Sequence, residues 1–264
     1  MKYLFNYLSK IREVLEGKAL MLFLDYDGTL TPIVRTPDKA VLSRKVKKVL
    51  SGLSQKPDFK LAIISGRALE DVQEKVGLKN IIYVGNHGFE IEGAKIKFRS
   101  IISVRFRAIL DQLKKDLGMK LSGIKGVLLE DKGLSLSLHY RLVDKRQIPE
   151  VRRILHEAAF FYVVRNKIKI KSGKKVLEIR PPIDWDKGKV VLWLLARGKF
   201  ASQGKAVFPV YIGDDKTDED AFKALRRHGL TVFVGKTGSS LAEYYLKNTK
   251  EVLSFLKIIY AGIN

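Results

Sequence analysis

The order of apolar and polar positions divides the chain into a repeating part and a different middle. Residues 21–24 form an apolar run of strand type, 43–53 an amphipathic helical pattern, 59–64 a second strand, 69–76 a helix and 81–84 a third strand. That alternation predicts βαβ units, a parallel sheet with helices on its faces. The rhythm returns with a helix at 187–196, a strand at 207–212, a helix at 218–228, a strand at 231–234 and a last helix from about 241 to 260. Near the start, Leu4, Leu8, Ile11 and Leu15 fall at helical spacing.

The middle reads differently. Residues 101–117 are helical with no buried strand after them. Residues 127–130 and 134–140 form a predicted hairpin across Lys132-Gly133. In it Ser135, Ser137 and His139 alternate with Leu134, Leu136 and Leu138, the period of a half-exposed strand. After a helix at 149–159, Lys167-Ile168-Lys169-Ile170-Lys171 alternates again. Half-wet strands suit an open sheet with one solvent-facing side. The expected fold class is α/β: a doubly wound parallel-sheet core of residues 1–100 and 183–264, interrupted by an inserted α+β domain at 101–182.

Composition narrows the function classes. With 264 residues, 46% hydrophobic and 30% charged, the chain can build one large domain or two modest ones and is not of the disordered class. It has no cysteine, which excludes disulfide and thiol chemistry and favours a cytoplasmic home. The longest apolar runs, 158–164 and 190–196, are seven residues, far short of the roughly 20 that span a bilayer. The apolar N-terminus is broken by Lys2, Lys10, Arg12 and Glu13, so it reads as an amphipathic helix and not a signal peptide. No membrane partner is expected.

Charge adds a question. The formal net charge is +22, and residues 101–180 hold 19 Lys plus Arg against 8 Asp plus Glu. Such a field attracts an anionic substrate and nucleic acid alike. Residues 165–175 carry six basic side chains in eleven, but their Lys-Ile alternation looks like one solvated sheet face. No RRM or zinc-finger pattern is present, so nucleic acid is not the expected partner.

Four segments carry candidate chemistry. Asp25-Tyr26-Asp27-Gly28-Thr29-Leu30 follows the strand at 21–24 directly. Ligands of open α/β sheets bind at the carboxyl ends of strands, and carboxylates two residues apart lie on one side of an extended chain. One can attack phosphorus, and the other can protonate the leaving oxygen and later activate water. The same residues also make ordinary turns. Ser65-Gly66-Arg67 closes the strand at 59–64 with a hydroxyl for a phosphoryl oxygen and a glycine that permits close backbone approach. Asp186-Lys187-Gly188 puts a lysine at a helix start, where it can neutralise phosphoryl charge or hold the nucleophile. Residues 214–220 hold four aspartates and one glutamate, a local acid excess suited to Mg²⁺. Within it Thr217 and Asp220 also match a helix capping box.

In this order, DxDGTL, SGR, a lysine and GDDxxD, the chain resembles the haloacid dehalogenase (HAD) phosphatase superfamily across its whole length. The resemblance implies a HAD core with an inserted cap, Asp25 as nucleophile and Asp27 as general acid/base. It implies that Ser65 and Lys187 hold the phosphoryl group with Gly66 and Arg67 at the substrate. Mg²⁺ would sit on Asp25, the Asp27 carbonyl and Asp214, with Asp215 or Asp218 nearby. Residues 25–33, Gly85-Asn86-His87-Gly88, Leu138-His139-Tyr140-Arg141, Glu178-Ile179-Arg180-Pro181 and residues 211–222 further resemble the trehalose-6-phosphate phosphatases. That implies a cap that closes over the sugar, with Glu130, Lys132 and Glu178 at the disaccharide and His87 contacting substrate from the core side. It also implies trehalose-6-phosphate synthase as a functional partner. Glu130 and Lys132 equally suit an exposed hairpin with a paired charge. Mannosyl-3-phosphoglycerate, sucrose phosphate and phosphomutase chemistry stay open as sister readings.

Overall fold

Large apolar residues on both sides of consecutive strands give the first part of the protein one sheet with two cores. The computed structural model describes residues 1–100, 103–201, 207–236 and 238–262. Its strands are β1 (Lys2–Tyr3), β2 (Ala19–Asp25), β3 (Phe59–Ile64), β4 (Ile82–Gly85), β5 (Glu90–Gly93), β6 (Ile96–Arg99), β7 (Leu128–Asp131), β8 (Leu136–His139), β9 (Lys169–Gly173), β10 (Val176–Arg180), β11 (Val207–Gly213), β12 (Leu230–Val234) and β13 (Tyr244–Leu246). Its helices are α1 (Leu8–Leu15), α2 (Arg44–Gln55), α3 (Leu69–Val76), α4 (Val104–Lys120), α5 (Ile148–Val164), α6 (Lys187–Ala201), α7 (Glu219–Leu225) and α8 (Thr249–Ala261). They form two compact units, Met1–Phe98 with Trp185–Asn264, and Arg99–Asp184.

The first unit holds a sheet of order β1-β13-β12-β11-β2-β3-β4-β5-β6. Strands β1 through β4 of that order are parallel, and β5 runs antiparallel to β4. From β2 the chain winds outward through β3 and β4, then returns to β11 on the other side of β2 and winds the opposite way. This is the expected doubly wound fold, and the reversal between β2 and β11 is where such sheets bind ligands. Leu20, Leu22 and Leu24 of β2 join a core with residues of α1, α2, α3 and α8. Met21 and Phe23 join the opposite core with Val190, Val191 and Leu194 of α6 and Phe222 of α7. The strand is therefore apolar throughout and has no period-two pattern.

Two terminal expectations are corrected. The helix expected at 241–260 begins only at Thr249, because Tyr244–Leu246 pairs with β12 and β1. Asn248 then caps α8, its side chain accepting from the backbone N–H of Lys250 and Glu251. The N-terminal helix is likewise shorter. Lys2–Tyr3 pairs with β13, Leu4–Tyr7 forms a 3-10 turn, and α1 starts at Leu8.

The second unit is a four-stranded antiparallel sheet of order β7-β8-β10-β9. Its apolar face, Leu136, Leu138, Leu177 and Ile179, packs on Leu110, Leu113 and Leu117 of α4 and Val151 and Leu155 of α5. Ser103 caps α4; residues 101 and 102 of the expected helix lie outside the described residues. The expectation of a solvent-facing polar side fails at Ser137 of β8 and at Ser135 just before it, both buried. The register explains this: Glu130, Ser137 and Glu178 stand in one row across β7, β8 and β10, so long side chains flank the small serine. On the outer strand β9, Lys171 is exposed, and charged side chains there protect a sheet edge from unwanted pairing.

Candidate active site

The candidate site of the first unit is built from strand ends and one helix start. Asp25 is the last residue of β2, Ser65 follows β3, Asn86 and His87 follow β4, Asp214 follows β11, and Lys187 is the first residue of α6. Asp25, Lys187, Asp214 and Asp218 are all buried. The Lys187 ammonium donates to Asp25 Oδ1 at 2.8 Å and to Asp218 Oδ1 at 2.6 Å. Asp218 Oδ1 also accepts from the Tyr211 hydroxyl at 2.7 Å. Its Oδ2 accepts from the backbone N–H of Asp214 at 2.9 Å and of Asp215 at 3.0 Å. Four donors thus fill the acceptor capacity of this carboxylate.

The expected Thr217–Asp220 capping box does not form. Asp218 occupies the N-cap position of α7, and Thr217 instead donates its N–H and hydroxyl to Asp215 Oδ1. The local Asx-type turn outcompetes the cap because Asp215 lies only two residues away.

Asp25, Asp214 and Asp218 offer carboxylate oxygens within 4.8 Å of one another. Burial pushes the Asp25 carboxyl well above the usual range; Lys187 opposes this, and Asp218 and Asp214 add to it. Burial also raises Asp218 against the pull of Lys187. For Lys187 burial works downward, but Asp218 and Asp25 outweigh it and hold the ammonium firmly charged. One cation among three crowded carboxylates leaves an electrostatic deficit, and hard oxygen donors in that setting suit a divalent ion such as Mg²⁺. Since Asp218 is already saturated by four donors, Asp25 and Asp214 are the side chains that fit as ligands.

Asp27 faces another way. Its two oxygens accept from Arg67 Nε at 2.7 Å and an Arg67 terminal nitrogen at 2.8 Å. Arg67 also donates to Asp71 at 2.7 Å and to the Pro37 carbonyl at 2.8 Å, and it lies over the Tyr26 ring. The guanidinium expected at the substrate is therefore committed to protein partners. Gly66, expected to allow close approach, does so against a side chain, and Gly28 does the same. A Cβ on Gly66 would meet His87 Nε2 at 2.2 Å, and one on Gly28, at φ +94°, would meet Asp214 Oδ2 at 2.0 Å. His87 itself sits in the left-handed region at φ 55°, with its N–H donating to the Ser65 carbonyl.

The residues expected at a sugar are gathered in the second unit. Glu178 is buried and accepts from Ser135 at 2.8 Å and Arg180 Nε at 2.7 Å, and Lys132 stands 3.5 Å from it. Glu130 pairs with His139 at 2.7 Å and lies 3.9 Å from Lys132. Among the described residues the buried Ser137 hydroxyl lacks a hydrogen-bond partner. Glu130 and Lys132 are thus parts of one polar cluster, unlike an isolated surface pair.

Residues 23–250 match the family model described as Trehalose-phosphatase. The chain belongs to the trehalose-phosphatase family. Among curated members, the probable trehalose-phosphate phosphatase 4 of Oryza sativa subsp. japonica is 38% identical over 262 residues, covering 94% of this chain and 69% of the rice protein. Among solved structures, the C-terminal domain of C. albicans trehalose-6-phosphate phosphatase superposes with a TM-score of 0.81 at 25% identity, covering 97% of this chain and 96% of that one. A haloacid dehalogenase-like hydrolase from Bacteroides thetaiotaomicron, 15% identical with a TM-score of 0.64, shares the fold, covering 92% of this chain and all of that one.

Several neighbours of the site were not singled out by sequence reasoning. Tyr211 looked like one more apolar strand residue, and only its hydroxyl marks it. Asp71, the second carboxylate on Arg67, hid in an ordinary first helical turn. Arg180 had a signal, since it lies two residues beyond Glu178 on the same strand and so on the same face.

Proposed function

We propose that this protein hydrolyses trehalose 6-phosphate to trehalose and phosphate through an aspartyl-phosphate on Asp25. The observation that carries the reading is the buried Lys187 ammonium, shared between Asp25 and Asp218 where three carboxylates converge. Family membership and the rice and C. albicans relatives named above supply the substrate. The Asp25 and Asp214 side chains and the Asp27 carbonyl would hold Mg²⁺. When bound, that ion offsets the negative charge of carboxylates and phosphoryl oxygens.

An Asp25 oxygen attacks phosphorus as the bond from phosphorus to the sugar oxygen breaks, and Asp27, turned out of its Arg67 pair and carrying a proton, gives that proton to the oxygen. The resulting carboxylate of Asp27 takes a proton from water, whose oxygen attacks the same phosphorus and releases phosphate, restoring Asp25. Lys187 fixes the Asp25 carboxylate and, with Ser65, balances phosphoryl charge. Asp218 and Tyr211 act through Lys187 as positioning residues, and Arg67 holds Asp27 in an ion pair until it turns to act. Glu130, Lys132 and Glu178 are assigned to the sugar hydroxyls, and His87 is assigned to substrate as well.

Trehalose-6-phosphate synthase, as the source of substrate, is the functional partner in this reading. A cysteine-free chain acting on such a metabolite belongs in the cytoplasm; no described helix is long and apolar enough to cross a membrane. The test is phosphate release from a panel of sugar phosphates with Mg²⁺. Preference for trehalose 6-phosphate over glucose 6-phosphate and sucrose phosphate supports the reading, and equal rates reject the substrate.

A further inference from the structure

The last turn of α5 has no part in the chemistry above. Ala159 faces the core of the second unit, and Ala158 and Tyr162 pack against that core. Phe160, Phe161, Val163 and Val164 point outward and are 67%, 54%, 41% and 67% exposed. They belong to the apolar run 158–164, too short to span a bilayer. Contiguous exposed apolar side chains mark an interaction surface, whereas scattered ones need no explanation.

The border of this patch is cationic. Arg165 stacks its guanidinium 3.8 Å from the Phe161 ring centroid, the chain turns at Asn166 (φ 49°), and Lys167 follows. Among the described residues no carboxylate pairs with Arg165 or Lys167. Arg153, more than three turns earlier in α5, is by contrast paired with both Glu150 and Glu157. The whole unit carries 20 Lys plus Arg against 9 Asp plus Glu between residues 99 and 184.

We propose that this corner docks the protein on an anionic lipid bilayer. Phe160, Phe161 and Val164 enter the boundary between headgroups and acyl chains, and Arg165 and Lys167 remain at the lipid phosphates. A second copy of the chain fits less well, because it would bring the same uncompensated cations to the contact. Nucleic acid would leave Val163 and Val164 without an apolar partner. A fluid bilayer accepts a projecting helix end without needing a complementary pocket.

The test is co-sedimentation of the full chain with phosphatidylcholine vesicles, with and without about one-third phosphatidylglycerol. Binding is expected only with the anionic lipid, and it should weaken by at least about tenfold in the double variant Phe160→Ser, Phe161→Ser. Sugar-phosphate hydrolysis by that variant should equal wild type, which shows that it folds. Failure to bind anionic vesicles overturns the proposal, as does binding that the double variant retains in full. Light scattering gives the other overturning result: a wild-type dimer that the variant converts to monomer assigns the patch to self-association. Loss of oligonucleotide binding in the variant, with no vesicle binding by wild type, assigns it to nucleic acid.

Discussion

Asp218 never meets solvent, yet its four hydrogen bonds fix the geometry of three neighbours: Lys187, Tyr211 and the backbone that presents Asp214. A buried carboxylate so completely bonded holds other groups in place and has no lone pair to spare for a reactant. Asp25 is the reverse case: it accepts from Lys187, and burial raises its proton affinity. Asp25→Asn should abolish steady-state phosphate release while the far-ultraviolet dichroism stays unchanged; turnover near the wild-type rate would remove the nucleophile assignment. Gly28→Ala tests the space beside Asp214. The added methyl would lie 2.0 Å from an Asp214 oxygen on a backbone at φ +94°. The Mg²⁺ concentration for half-maximal rate should rise by at least about tenfold, and an unchanged requirement would detach Asp214 from the metal.

At the scale of elements, the row Glu130–Ser137–Glu178 makes three strands of the second unit act as one polar surface. If that surface reads sugar hydroxyls, Glu178→Ala should lower kcat/KM for trehalose 6-phosphate by about ten- to hundredfold and spare p-nitrophenyl phosphate, which has no sugar. Equal damage to both substrates would make Glu178 structural. The start of α8 offers a separate check: Asn248→Ala removes its cap and should cost about 1 kcal/mol in denaturant unfolding without altering activity. The strand and helix sequence of residues 19–85 was legible because apolar periodicity and length agree there. It failed at Tyr244–Leu246, where three residues between helical patterns become a strand only through partners remote in sequence, Val232–Val234 and Lys2–Tyr3. The aspartates, Ser65 and Lys187 were legible because spacing and strand ends mark them. The grip of Arg67 on Asp27 was not legible because it depends on the fold, and the burial of Ser135 and Ser137 was not because alternation says nothing about what shields a polar face.

For the whole molecule, a cluster of three carboxylates with one lysine makes stability depend on a cation. Mg²⁺ binding the folded chain alone should raise the melting temperature, by an amount equivalent to about 2.7 kcal/mol at a hundredfold excess over Kd. EDTA should reverse the shift and stop phosphate release. A thermal transition indifferent to Mg²⁺ would contradict the site as a metal centre.

The place of β2 between β3 and β11 also sets an order of events. Leu20 through Asp25 pair on one side with Phe59–Ile64, and Ala19 through Leu24 pair on the other with Val207–Ile212. A ribosome therefore delivers one flank of this strand early and the other only after the entire inserted unit has emerged. Until then one backbone edge of β2 stays unpaired, and Asp25 waits without Lys187, Asp214 or Asp218. Pairing across so long a separation is slow, and an open strand edge invites wrong partners. The catalytic set is thus complete only once the last third of the chain has emerged, and until then the open edge of β2 is where wrong pairing would start.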